Sequence, residues 1–150
     1  MLFYDSIGPN PKVVRVFMAE RGISGIPTEA IDLRGGENRQ EPFLSKNPSG
    51  QCPALALDNG TVLAEITAIC EYLDEIGPGG TTLIGSTPEE RAETRMWVRR
   101  IDLNILEPMA NGFRFSDGLG VDSTVVSPAA KLVSRLAGGS PCRAQSAHTD

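Results

Sequence analysis

Residues 47–55 read Asn47-Pro48-Ser49-Gly50-Gln51-Cys52-Pro53-Ala54-Leu55, a tight turn that leads into a short apolar strand. Proline has no N–H to donate to a sheet ladder, so Pro53 belongs at a strand start or edge. A cis peptide bond before it would be a deliberate feature of a tight turn. Since a residue before proline is restricted to extended geometry, we expect the backbone N–H and C=O of Cys52 to face outward and to pair with another extended peptide.

A second stretch places an acidic residue at the start of a helix. The turn Asp58-Asn59-Gly60 predicts a hairpin, and after it the sequence reads Leu63-Ala64-Glu65-Ile66-Thr67-Ala68-Ile69-Cys70-Glu71-Tyr72-Leu73. An extended backbone edge beside the carboxylate of Glu65 suits a ligand that is a small peptide with a free amine.

The two stretches together resemble the glutathione-binding half of the glutathione S-transferase family, over about residues 1 to 115. The resemblance rests on the NPxGxxPxL turn, the hairpin, and Glu65 followed by an AIxxYL helix. It implies an α/β thioredoxin-like domain with a four-stranded mixed sheet, followed by a partial all-α domain. It also implies a transferase with glutathione as co-substrate, a small electrophile as second substrate, and assembly as a homodimer.

Composition narrows the classes of partner and compartment. The chain has 150 residues and a net charge of −5, which argues against nucleic-acid partners because these select basic surfaces. No apolar run approaches the length of a membrane span, so we expect no membrane partner. Three cysteines without zinc-like spacing fit a reducing cytoplasm. His148 is the single histidine, so we expect neither a metal site nor a histidine-based triad.

The order of predicted elements is that of an α/β domain with a mixed sheet. Strands are predicted at residues 1–4, 28–33, 53–57 and 61–63, and helices at 11–21, 40–46 and 65–76. Gly77-Pro78-Gly79-Gly80 marks a linker. Thr87, with Pro88 and Glu90, predicts a capping box that begins a long helix over Glu89–Met109.

These signals divide the chain into four parts. Residues 1–77 form the thioredoxin-like glutathione-binding domain, residues 78–86 the linker, and residues 87–117 the start of a helical domain. Residues 118–150 form an atypical tail, rich in Gly, Ser, Ala and Pro, with disorder as one interpretation. The helical domain is therefore expected to be truncated or altered, with an exposed apolar face at Ile101, Ile105, Met109 and Phe113.

The resemblance implies roles for five binding residues. The backbone of Cys52, beside Pro53, pairs with the cysteinyl unit of glutathione, and Gln51 touches its glycyl end. Glu65 contacts the γ-glutamyl amine, and the backbone N–H of Ile66 holds the γ-glutamyl carboxylate where the family usually has Ser or Thr. The alternatives are an ordinary turn proline, a solvated turn residue at Gln51, and a capping acid at Glu65.

Two residues are candidates for activating the glutathione thiol, Asn10 and Ser6. Members of the family use a Tyr, Ser or Cys after the first strand. The amide of Asn10 can donate to a thiolate, although Asn10 also fits a helix N-cap before Pro11. Ser6 has a hydroxyl but lies early in the loop. Tyr4 is expected to lie in the core of the first strand.

Two other functions are compatible with the same residues. One is a non-catalytic glutathione-fold binding module or a truncated inactive fragment. The other is a thiol-disulfide enzyme that acts through Cys52, although the loop after the first strand has no Cys-x-x-Cys motif.

Overall fold

The structure of the chain is a computed structural model that describes residues 1–114, with side chains described to residue 112. Four strands form one mixed sheet in the order β2-β1-β3-β4. The strands are β1 (Leu2–Asp5), β2 (Thr28–Ala30), β3 (Ala54–Ala56) and β4 (Val62–Ala64). Strand β1 pairs parallel with β2 and antiparallel with β3, and β3 pairs antiparallel with β4. The predicted four-stranded mixed sheet is confirmed.

Helices cover the sheet and extend beyond it. They are α1 (Pro9–Glu20), α2 (Phe43–Lys46), α3 (Ile66–Ile76), α4 (Pro88–Ile101) and α5 (Glu107–Arg114). A 3₁₀ turn lies at Glu37–Arg39, and one π-helical turn, Asp102–Leu106, joins α4 to α5. Within residues 1–114, no helix is long and apolar enough to cross a membrane. The predicted tail, residues 118–150, lies outside the described residues.

Alternate residues of the central strands supply two separate cores, because successive side chains of a strand point to opposite faces. Phe3 and Leu55 pack with residues of α1 and α3 on one face: Val14, Ile69, Cys70 and Leu73. Tyr4 and Ala54 pack on the other face with Ile31 and Phe43. The rings of Tyr4 and Phe43 meet edge to face at 5.6 Å, so Tyr4 belongs to the core, as expected.

A buried ion pair fixes the linker between α3 and α4. Arg21 and Asp74 are 8% and 6% exposed, and Arg21 Nε lies 2.7 Å from Asp74 Oδ1. The Asp74 carboxylate accepts the backbone N–H groups of Leu83 at 2.9 Å and Ile84 at 3.1 Å. Arg21 also donates to the carbonyl of Asp74 at 2.8 Å. Together these bonds tie the linker to α1 and α3.

The helical region differs in one respect from the sequence prediction. Thr87 and Glu90 form the predicted capping box at the start of α4. The single helix predicted over Glu89–Met109 is instead interrupted by the π turn, in which the N–H of Glu107 donates to the C=O of Asp102. The side-chain amide of Asn104 donates to the carbonyl of Arg100 at 2.8 Å. Asn104 thereby satisfies a helix carbonyl at the place where the regular ladder changes.

Candidate functional site

A cleft of about 810 Å³ lies between the Pro53 turn, the first turns of α1 and α3, and the α4–α5 region. Its volume falls within the range of small-molecule sites. Six of the seven predicted site residues line it: Asn10, Gln51, Cys52, Pro53, Glu65 and Ile66. Ser6 is not among the lining residues.

Two buried asparagines hold the Pro53 turn in place. Asn38 is 2% exposed, and its amide donates to the carbonyl of Gly50 at 2.7 Å. The amide of Asn47 donates to the carbonyl of Gln51 at 2.8 Å, and its oxygen accepts from the hydroxyl of Ser49 at 2.9 Å. Gly50 has a φ of 59°, and a Cβ there would lie 2.7 Å from the carbonyl oxygen of Asn38. The turn therefore requires glycine at this position.

Two features of the backbone at Cys52 bear on the predicted pairing with a peptide. The Cys52–Pro53 peptide bond is cis. In the described part of the chain, no backbone hydrogen bond outside the helices and strands involves the N–H or C=O of Cys52. Cys52 also lines the cleft.

The thiol of Cys52 has a raised pKa. The pKa of the Cys52 thiol is raised to about 11, chiefly by burial and also by the nearby carboxylates of Asp5 and Glu37. The Ser6 hydroxyl and Arg39 oppose this rise in part. Only the thiolate is nucleophilic, so a thiol with this pKa is a poor nucleophile at neutral pH.

Glu65 is the N-cap of α3 and the only described non-glycine residue with a positive φ, 70°. Residues held in such sparsely populated backbone regions cluster at functional sites. The Glu65 carboxylate makes no capping hydrogen bond to the helix, and its side chain is exposed at the cleft. It is therefore not the capping acid of the alternative interpretation.

The first turn of α3 also faces the cleft, through Ile66 and Thr67. The first N–H groups of a helix have no partner within it, and the positive end of the helix dipole favours an anion. The side chain of the N-cap residue, Glu65, does not cap this end of α3. The side chain of Ile66 is half-buried against the core formed with Leu73, so it contributes to packing as well as to the cleft.

The structure separates the two candidate thiol-activating residues. Asn10 lies in the first turn of α1 and lines the cleft. It is not an N-cap, because Gly8 occupies that position and Pro9 is the first helical residue. Ser6 is buried. Its hydroxyl lies close enough to the Cys52 thiol to lower the pKa of that group, although the geometry is not that of a regular hydrogen bond.

The opposite wall of the cleft is formed by the linker and the α4–α5 region. Ile84 of the linker lines it, beside Val13 and Phe17 of α1. The helical region contributes Val98, Arg99, Asp102, Leu106, Glu107 and Asn111. This wall is partly apolar and partly charged, and it faces the Pro53 turn across the cleft.

Sequence reasoning missed the residues that support the site. Asn47 belongs to the quoted turn motif without a role of its own, and Asn38 lies outside that motif. Their buried side chains hold the turn. Asparagines near tight turns commonly bond local backbone, but their burial depends on contacts between residues 38 and 50 that no local pattern shows.

The sequence and the fold are both similar to those of known glutathione S-transferases. The model of the glutathione S-transferase N-terminal domain matches residues 8–76. Glutathione S-transferase 2 of Saccharomyces cerevisiae is 42% identical over 123 residues, which are 80% of this chain and 52% of the relative. Maleylacetoacetate isomerase of Pseudomonas aeruginosa is 40% identical over 84 residues, 55% of this chain and 39% of the isomerase.

This chain covers a larger share of one protein of known structure. The glutathione S-transferase domain-containing protein of Marinobacter aquaeolei superimposes with a TM-score of 0.77 at 35% identity, over 91% of this chain and 68% of that protein. By contrast, this chain spans about half the length of the yeast relative. The resemblance inferred from the Pro53 turn and the Glu65 helix is confirmed, and the chain belongs to the glutathione S-transferase family.

Proposed function

We propose that the chain binds glutathione in the cleft between the Pro53 turn and α3. The N–H and C=O of Cys52 pair with the cysteinyl unit, and Gln51 contacts the glycyl end. The Glu65 carboxylate binds the γ-glutamyl amine, and the N–H of Ile66 at the start of α3 binds the γ-glutamyl carboxylate. The observation that carries the proposal is that Cys52 lines the same cleft as Glu65 and Ile66, while its backbone makes no backbone–backbone hydrogen bond within residues 1–114 outside the helices and strands.

The proposed reaction is attack of the glutathione thiolate on an electrophilic carbon. A sulfur–carbon bond forms, the thiol proton passes to solvent, and a leaving group departs with its bonding electrons. The amide of Asn10 donates to the thiolate and lowers the pKa of the thiol, and the cleft orients the two reactants. Asn10 is preferred to Ser6 because it lines the cleft.

The wider setting of this reaction is proposed from the family. Residues 1–77 act as the glutathione-binding unit and residues 87–117 begin the helical unit, with 78–86 as the linker. The enzyme works in the cytoplasm as a homodimer on a small electrophile. A thiol-disulfide reaction through Cys52 is disfavoured by the raised pKa of its thiol.

Two measurements test the proposal. The purified chain should be retained on immobilised glutathione and eluted by free glutathione, and a chain that passes through the column contradicts glutathione binding. The ultraviolet absorbance of the thiolate, followed against pH, then gives the pKa of the bound thiol. A transferase lowers this pKa from about 8.5, whereas a non-catalytic binding module leaves it unchanged.

Matched variants identify the residue that acts on the thiol. Asn10→Ala should return the pKa of bound glutathione towards its value in solution, whereas Ser6→Ala should leave it unchanged. The reverse result would assign the role to Ser6.

A further inference from the structure

The π turn changes which residues of the helical region face the cleft. Its bond from the N–H of Glu107 to the C=O of Asp102 spans five residues, where an α-helix spans four. Along this wall every fourth residue from position 98 to position 110 has a half-buried side chain: Val98, Asp102, Leu106 and Ala110. Three of these four line the cleft.

A regular α-helix would present different residues. At about 100° per residue, a residue seven positions after Val98 lies within about 20° of its direction, and so does a residue eleven positions after it. These residues are Ile105 and Met109. In the structure they are 60% and 63% exposed and do not line the cleft. The π turn therefore replaces an apolar continuation of this wall.

The replacement residues are mostly polar. Asp102, Glu107 and Asn111 line the cleft beside Leu106, and Arg99 is the cation on this wall. In the described part of the chain, no hydrogen bond or ion pair joins the side chains of these residues to a neighbour. Two carboxylates against one guanidinium give this end of the cleft an excess of negative charge.

We propose that the π turn sets the specificity of the electrophile site for cationic or neutral substrates with hydrogen-bond donors, and against anionic ones. Asp102 and Glu107 are the specificity-determining residues, and Leu106 is the apolar contact. The inference rests on the proposed function, because it concerns the substrate that reacts with glutathione in the same cleft.

Binding of three glutathione conjugates to the 150-residue chain tests the inference. The conjugates are S-(4-aminomethylbenzyl)glutathione, S-(4-carbamoylbenzyl)glutathione and S-(4-carboxybenzyl)glutathione, which differ only in a cationic, neutral or anionic group. Titration calorimetry should show the cationic conjugate bound about tenfold more tightly than the anionic one, with the neutral one between, as expected for unit charges a few ångströms apart near a protein surface.

Isosteric variants assign this difference to the two carboxylates. The double variant Asp102→Asn, Glu107→Gln should abolish the preference for the cationic conjugate, because Arg99 is then the remaining charge on this wall. Glu93→Gln is the matched control, because Glu93 is an exposed carboxylate of α4 that does not line the cleft. This control should keep the full difference.

Two alanine variants test the helical register. Leu106→Ala should weaken the binding of all three conjugates about fivefold and leave the binding of glutathione itself unchanged. Ile105→Ala should change neither the binding of the conjugates nor that of glutathione. Thermal unfolding of each variant checks that the fold is retained.

The outcomes separate the inference from the proposed function. Equal binding of the three conjugates, or tightest binding of the anionic one, overturns the inference while glutathione binding stands. Weakening by Ile105→Ala without weakening by Leu106→Ala overturns the register argument. Failure of the chain to bind glutathione at all overturns the proposed function, and the inference with it.

Discussion

Glu65 begins a helix from a backbone conformation with a positive φ. Its backbone has a φ of 70°, a conformation that costs a non-glycine residue about 1–3 kcal/mol. Its carbonyl nevertheless accepts the N–H of Ile69 at 3.0 Å and so begins α3. The carboxylate is thereby held at the cleft without a capping bond, where it is available to an ammonium group.

Glu65→Ala should weaken glutathione binding more than Gln51→Ala. A hydrogen bond between a carboxylate and an ammonium is roughly twice as strong as a neutral one, so we expect a loss of about tenfold or more for Glu65→Ala and a few-fold for Gln51→Ala. Titration calorimetry on both variants measures the difference. Equal losses would remove Glu65 from the proposed amine site.

The thiol of Cys52 should react slowly with iodoacetamide at neutral pH. Its pKa is raised to about 11, so the thiolate fraction, and with it the alkylation rate, should increase about tenfold per pH unit until the pH approaches that value. Mass spectrometry of the peptide that contains Cys52 gives the rate. A rate that levels off below pH 9 would contradict the raised pKa.

At the scale of elements, the features that depend on residues close together in sequence were predicted better than those that depend on tertiary contacts. The Pro53 turn, its cis bond and the hairpin at Asp58-Asn59-Gly60 follow from residues within a few positions of one another, and all are found. Helix α1 begins at Pro9 rather than at residue 11, because Gly8 adopts the extended N-cap geometry. The predicted strand over 28–33 ends at Ala30, since β2 pairs only along β1.

The π turn and the buried asparagines were not predictable in the same way. Residues 89–109 have a helical pattern in which Pro108 marks a break, because proline has no N–H to donate to the carbonyl four residues earlier. That signal does not specify a π turn. Asn38 acquires its role only when Gly50 folds against it. In the site, the cleft-lining positions followed from the resemblance, whereas the separation of Asn10 from Ser6 required the position of α1.

Thr87→Ala should destabilise α4 by about 1 kcal/mol. The Thr87 hydroxyl accepts the N–H of Glu90 at 3.2 Å, and the variant leaves that N–H without its cap. Ser86→Ala is the matched control, because Ser86 contributes its backbone N–H and not its hydroxyl to the capping box. Urea unfolding followed by circular dichroism compares the two. A stability equal to that of the control would show that the cap contributes nothing.

At the scale of the whole molecule, one face of the helical region is exposed and apolar. Ile101, Ile105 and Met109 are exposed, as the sequence predicted, and Trp97, which was not predicted, is 51% exposed one helical turn before Ile101. The side chain of Phe113 lies outside the described residues. Contiguous apolar surface of this kind marks an interaction site or an aggregation liability.

The chain should therefore self-associate through this face. Light scattering at rising concentration should show a dimer or larger species, and Ile105→Lys with Met109→Lys should shift the protein towards the monomer. Glu89→Lys with Glu93→Lys is the control on another part of α4 and should leave association unchanged. A stable monomer of the unaltered chain would contradict this expectation.

The ion pair of Arg21 and Asp74 has a consequence for proteolysis. Residues 77–86 are rich in Gly, Pro, Ser and Thr, a composition that proteases cut readily in a loose loop. Because Asp74 holds the N–H groups of Leu83 and Ile84, the segment should resist cleavage in the native protein. Asp74→Asn should open it to a nonspecific protease such as subtilisin, releasing a fragment that ends near residue 80, while Glu75→Gln leaves the digestion pattern unchanged.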